Sequence, residues 1–137
     1  MATITEILKD AEDDIRTIMK HKDLQYLRMF LSAALMPQYK LKLPEGVPPY
    51  NPNTMEEGQV SPGVFWQFCS KLPMYVTGAN DKRSQARIEL NFIQVLETVS
   101  AHEALIILAC KDQNLQSLYK GITLEALYKV GYYERPS

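Results

Sequence analysis

Apolar residues recur at steps of three and four near the start of the chain, the spacing that puts them on one face of an α-helix. Thr3-x-x-Glu6 has the spacing of a capping box and predicts where the first helix begins. The apolar pattern continues to Met19, and Asp23 is a candidate N-cap for a second helix that Pro37 ends. Residues 3–36 are therefore predicted to form a helical hairpin.

Prolines dominate the next stretch, residues 37–61, which contains five of them. Proline fixes φ and lacks an amide donor, so neither a helix nor a central strand continues through this stretch. We expect a proline-rich extended strap between the second and third helices. Two interpretations stay open for its LPEGVPPYNP part, Leu43–Pro52: packing over the protein's own core, or docking of a partner by a preordered segment.

Helical signals return at Ser61-Pro62, an N-cap followed by a first-turn proline, and predict a third helix that ends at Pro73. Residues 74–80 are interpreted as a link. A fourth helix is predicted from Asp81, and a second capping box, Ser100-x-x-Glu103, predicts a fifth. The following run Ala104–Cys110 is apolar on all sides and is expected to be buried.

A last helix is predicted between Thr123, its N-cap, and Gly131, its left-handed C-terminal residue. Residues 62–131 would then form a helical core, with the fourth and fifth helices as an antiparallel hairpin at its centre. The residues predicted to be most buried are Ile93, Leu96, Ile106 and Leu108.

Composition agrees with one compact all-α bundle of about five to six helices, residues 1–137. The length of 137 residues suits a single domain, and 46% hydrophobic with 23% charged residues is ordinary for a globular protein. Ala104–Cys110, the longest apolar run, is far shorter than the roughly 20 residues that a membrane-spanning helix needs. A protein without membrane segments is expected.

Residues with catalytic or metal-binding potential are scattered. His21 and His102 stand alone, whereas Cys69 and Cys110 lie in apolar helical patterns and are interpreted as buried, reduced thiols. The adjacent carboxylates of residues 56 and 57 fall in a polar stretch and are interpreted as solvated surface. We therefore expect no catalytic, cofactor-binding or metal-binding residues and no enzymatic activity.

Two basic groups are candidate nucleic acid contacts, because cations bind phosphate and an aromatic ring stacks on bases. Residues 61–137 carry eight basic and seven acidic side chains, and the whole chain has a net charge of −1, so no large positive field favours nonspecific DNA binding. The candidates are Lys82, Arg83 and Arg87 in one group and Tyr39, Lys40 and Lys42 in the other.

Three blocks of the sequence resemble, in the same order, a family of small uncharacterised proteins of tailed bacteriophages related to the T-even group, including cyanophages. The blocks are LPEGVPPYNP, RIELNFIQVLETVSAHEALIILACKD from Arg87 and YKGITLEAL from Tyr119. The chain departs from the pattern at Ala101, where the family tends to have a helix-opening histidine followed by proline, and in the link over residues 113–118, which is longer here. The resemblance implies a phage-encoded protein made in an infected bacterium and transfers no catalytic residue.

The leading hypothesis is a non-enzymatic phage protein that binds another protein, either of the viral replication or transcription machinery or of the virion. Its location would be the host bacterial cytoplasm or the assembled virion. The alternative is a nucleic acid-binding accessory protein of phage replication. The candidate partner-binding residues lie in the proline-rich segment and are Leu43, Pro44, Glu45, Pro48, Pro49 and Tyr50.

Overall fold

The computed structural model describes residues 3–55 and 57–136, and these residues form helices and connecting loops without any β-strand. This confirms the all-α class, with more helices than the five to six predicted. The α-helices are α1 (Ile4–Asp13), α2 (Gln25–Leu35), α3 (Pro62–Ser70), α4 (Leu72–Thr77), α5 (Lys82–Thr98), α6 (Ala101–Lys111) and α7 (Leu124–Val130). The 3-10 segments are Ile15–His21, Pro37–Tyr39, Glu57–Gln59 and Leu115–Ser117.

The first helix is shorter than its apolar pattern predicted. It ends at Asp13, and Asp14 adopts extended backbone while its carboxylate accepts a hydrogen bond of 3.1 Å from the amide of Arg16. That carboxylate caps the 3-10 segment Ile15–His21, so the chain re-enters a helical course with tighter winding. The apolar face continues through the break because i, i+3 spacing serves a 3-10 helix as well as an α-helix.

Two boundary predictions were wrong. Asp23 is not the N-cap of α2, since Leu24 occupies that position without a side-chain hydrogen bond. The predicted link at residues 74–80 is largely helix α4, which begins at Leu72 and takes Pro73 into its first turn. Proline is tolerated there because the first-turn amides have no intrahelical acceptor, so Pro73 starts a helix instead of ending one.

The predicted starts of the later helices are confirmed. Helix α5 begins directly after Asp81, whose carboxylate accepts a 2.8 Å hydrogen bond from the amide of Ser84. Ser100 and Glu103 form a complete capping box, in which each side chain accepts a hydrogen bond from the other residue's amide. Gly131 ends α7 with a φ of 85°, in the left-handed region where glycine is favoured.

Helix α6 lies at the centre of the packing and contacts α1, α2 and α5, while α2 also packs against α3 and α4. Leu96 and Ile106 are fully buried and Leu108 is buried, as predicted. Ile93 is only half-buried, and Leu105 is 50% exposed although it belongs to a run expected to be buried on all sides. An aromatic cluster with ring centroids 5.6 to 6.2 Å apart joins α3, α4 and α5 through Phe68, Tyr75 and Phe92.

Candidate protein-binding site

The proline-rich segment, residues 40–55, runs without helix or strand and is attached to the helices at several points. Near its start, the amide of Lys42 donates a 2.9 Å hydrogen bond to the carbonyl oxygen of Tyr75 in α4. Near its end, the amide of Asn51 donates a 2.7 Å bond to the carboxylate of Glu97 in α5. Backbone hydrogen bonds of this kind hold a segment in place where its prolines prevent regular structure.

The middle of the segment is held by the C-terminal end of α6. The ammonium group of Lys111 donates a 2.7 Å hydrogen bond to the carbonyl oxygen of Pro44 and a second one to the carboxylate of Asp112. That same carboxylate accepts a 3.3 Å bond from the amide of Gly46, which turns the chain with a φ of 87°. Asp112 thus has two roles, since it neutralises the charge of the buried Lys111 and also fixes the turn at Gly46.

The side chains of the segment divide between the core and the surface. Leu43 and Tyr50 are half-buried and pack against the hydrophobic core, and Pro48 is also half-buried. Pro44 and Pro49 are exposed, and Val47 is 72% exposed. Pro44, Val47 and Pro49 are therefore the exposed apolar side chains of an otherwise anchored segment.

A cavity of about 260 Å³ separates the segment from α5. Its walls are mainly apolar and include Phe92 and Ile93 of α5. Three charged residues also line it: Glu45, Glu89 and the buried Lys111. The segment therefore combines an exposed apolar edge with an adjacent cavity.

The basic residues named as nucleic acid candidates do not all come together. Lys40 forms an ion pair with the exposed carboxylate of Glu45, and the hydrogen bond between them raises the pKa of Lys40 above its usual value. Its charge is thus matched inside the segment. Tyr39 is 45% exposed and lines a groove between α2 and α4.

Lys42 is joined to the N-terminal half of α5, because the side-chain amide of Gln85 donates a 2.8 Å hydrogen bond to its carbonyl oxygen. The basic residues in that half of α5 are Lys82, Arg83 and Arg87, and all three are exposed. Within residues 3–55 and 57–136, none of these four cations is ion-paired. Asp81 already caps the first-turn amides of α5, so phosphate binding there would rest on the side chains alone.

Both cysteines are buried and free, as predicted. Loss of hydration raises the pKa of the Cys69 and Cys110 thiols well above the usual range, which disfavours the reactive thiolate. Among the described residues, no group of three or more histidine, cysteine or acidic side chains is placed to hold a metal ion. Glu56 and the side chain of Glu57 lie outside the described part of the chain.

Sequence reasoning missed the residues that hold the site together. Lys111 follows the apolar run of α6 directly, and a lysine at the end of a buried helix is a weak local sign of a structural ammonium group. Its acceptor, Pro44, lies 67 positions earlier in the chain. No local pattern points to that pairing.

Within the described residues, the structure has no helix with the length and apolar character that crossing a membrane demands. No curated protein and no solved structure is significantly similar to the chain. A family model described as a family of unknown function, DUF6433, matches residues 4–117. The match begins in α1 and so includes the first two helices, which the sequence blocks from Leu43 onward did not cover. The chain therefore belongs to this family of unknown function, DUF6433.

Proposed function

We propose that this protein is a non-enzymatic, phage-encoded helical protein that binds another protein through its proline-rich segment. The partner would be a component of the viral replication or transcription machinery or of the virion, and the site of action the host bacterial cytoplasm or the virion itself. The observation that carries the proposal is the contrast within one segment, where an anchored backbone holds Val47 72% exposed.

Preorganisation is the physical reason for favouring binding. An unstructured loop loses conformational entropy when a partner grips it, whereas a segment already held by prolines and hydrogen bonds loses less. Extended proline-containing segments are recognised by apolar, aromatic-lined grooves of other proteins. Pro44, Val47 and Pro49 present the exposed apolar groups that such a groove contacts. The phage origin rests on the resemblance of the three sequence blocks.

Affinity purification tests the proposal. The tagged protein would be expressed in bacteria infected by the phage that encodes it, and the captured proteins identified by mass spectrometry. We expect one viral or host protein to be enriched with the wild type and lost with Val47→Asp. Leu105→Asp is the matched control, because Leu105 is 50% exposed but lies on α6 outside the segment. A monodisperse monomer that enriches no protein contradicts the proposal.

The alternative, a nucleic acid-binding accessory protein, is supported by the hydrogen bond that places Lys42 beside Gln85 of α5. It joins the backbone of one residue of the Tyr39 group to α5, the helix that carries Lys82, Arg83 and Arg87. Labelled single-stranded and double-stranded DNA would be titrated at about 50 mM and about 200 mM salt, where phosphate contacts predict a steep loss of affinity. Reversal of Lys42, Arg83 and Arg87 to glutamate should then abolish binding. Absence of binding at the lower salt concentration excludes this alternative.

A further inference from the structure

A groove of about 390 Å³ lies between α2 and α4. The apolar residues that line it include Met29 and Ala33 of α2 and Leu72, Pro73 and Val76 of α4. No acidic side chain lines it, and Arg28 is its one charged lining residue. An apolar groove with a single cation suits a ligand that has an apolar body and one negative charge.

Arg28 is held in position by the residues that follow α7. One nitrogen of its guanidinium donates a 2.9 Å hydrogen bond to the carbonyl oxygen of Tyr132. The guanidinium also lies 5.2 Å from the ring centre of Tyr132 and 4.8 Å from that of Tyr133, within cation–π distance of both. The Tyr133 hydroxyl closes the arrangement by donating a 2.8 Å bond to the Arg28 carbonyl oxygen.

The charge of Arg28 has no counterion within the described residues. The bond to Tyr132 uses one N–H group of the guanidinium. The remaining N–H groups have no hydrogen-bond acceptor among the described residues. A half-buried cation without a counterion is unfavourable, and two parallel N–H groups of a guanidinium match the two oxygens of a carboxylate. The two tyrosines restrict the guanidinium and lower the entropy that it loses when it pairs.

We infer that the α2–α4 groove binds a peptide segment of a partner protein in which a carboxylate side chain pairs with Arg28 and flanking apolar side chains pack between the helices. A carboxylate is favoured over a phosphate group because the groove offers one positive charge, whereas phosphate sites commonly gather several donors and cations. The inference rests on the proposed protein-binding function and adds a second contact surface to it.

Two blocked tripeptides test the charge requirement. The ¹⁵N-labelled full chain would be titrated with acetyl-Leu-Glu-Leu-amide and with acetyl-Leu-Gln-Leu-amide, which differ only in the carboxylate. We expect saturable shifts of backbone amides in the groove, at Ala33, Val76 and Thr77, and about tenfold weaker binding of the glutamine peptide. Inorganic phosphate, added to the complex of the protein with the glutamate peptide, should not displace that peptide.

Variants connect that preference to Arg28. Arg28→Gln should bind both peptides equally. Because Arg28 also holds the chain after α7, Thr77→Glu provides a second variant that leaves those contacts in place. Thr77 is the exposed last residue of α4 and lines the groove, so a carboxylate there should repel the glutamate peptide and spare the glutamine peptide. Thr98→Glu, at the exposed last residue of α5, is the control.

The inference is overturned if the wild type binds the two peptides with equal affinity, or if the shifts map outside the groove. It is also overturned if the titration does not saturate below about 10 mM peptide, or if the protein binds phosphate in preference to the peptide. Failure of the proposed function can be distinguished from failure of this inference. Val47→Asp should leave the peptide titration unchanged, so a protein that binds the tripeptide but captures no partner contradicts the proposed function alone.

Discussion

The ammonium group of Lys111 reaches the carbonyl oxygen of Pro44 at 2.7 Å, although 67 positions separate the two residues in the chain. The lysine side chain is only 2% exposed, and Asp112 supplies its counterion. A positive charge in the last turn of a helix is also favoured by the partial negative charge of the free carbonyl groups. This pair ties the proline-rich segment to the central helix of the fold.

Replacement of Lys111 tests that attachment. Lys111→Met keeps much of the side-chain volume but leaves the Pro44 carbonyl oxygen without its donor and Asp112 without its cation. We expect a loss of about 1–3 kcal/mol in the free energy of unfolding, measured by urea denaturation. Lys129→Met is the matched control, because Lys129 is also a last-turn lysine but is exposed, and it should change stability by less than about 0.5 kcal/mol. Equal effects of the two substitutions contradict the prediction.

Two leucines of α6 separate burial from helix propensity. Leu108 is 7% exposed and Leu105 is 50% exposed. Leu108→Ala should create a cavity and lower the free energy of unfolding by about 2–5 kcal/mol. Leu105→Ala removes the same atoms from a site that already contacts water, and should lower it by less than about 1 kcal/mol. Chemical denaturation of both variants gives the comparison, and a larger effect at Leu105 would show that α6 packs in another orientation.

Substitution of Tyr50 tests how much the packing of the proline-rich segment on the core contributes to stability. Because the side chain is half-buried, Tyr50→Ala should lower the free energy of unfolding by about 1–2 kcal/mol, less than the roughly 3–5 kcal/mol typical of a fully buried aromatic residue. Tyr39→Ala serves as the control, since Tyr39 is 45% exposed. If the Tyr50 variant and the wild type unfold at the same thermal midpoint, the packing of the segment contributes nothing to stability.

The buried thiols predict how stability responds to alkaline pH. In the unfolded chain cysteine loses its proton near pH 8.5, whereas burial raises the pKa of Cys69 and Cys110 in the folded state. A group whose pKa is raised by folding contributes full stability below its unfolded pKa and loses it as pH rises. The free energy of unfolding should therefore fall between about pH 8 and pH 10.

The double variant Cys69→Ala and Cys110→Ala provides the control for that slope. It lowers stability at every pH through lost packing, but its pH dependence over the same interval should be shallower than that of the wild type. Native protein at pH 8 should also react slowly with a thiol reagent, at the rate of structural opening. Rapid modification of both thiols in the folded protein would contradict the burial that underlies the prediction.

Helix type and helix ends were predictable from the sequence because capping and amphipathic spacing act within a few residues. Ser100 and Glu103 are neighbours on one helix turn, so their hydrogen bonds follow from local geometry. Gly131 likewise ends α7 through its own backbone freedom. Two of the errors, at Asp14 and at Pro73, occurred where two local rules competed: a cap against an apolar stripe, and proline as helix end against proline as helix start.

The sequence by itself therefore determined that the chain is helical, where most of its helices begin and end, and which apolar faces must be buried. Only the tertiary structure decided which residues form the two proposed binding surfaces. Lys111 with Pro44 and Arg28 with Tyr132 are joined across 67 and 104 positions, respectively. Each pairing depends on how whole helices pack, and packing depends on the summed burial of many side chains, which no local spacing encodes.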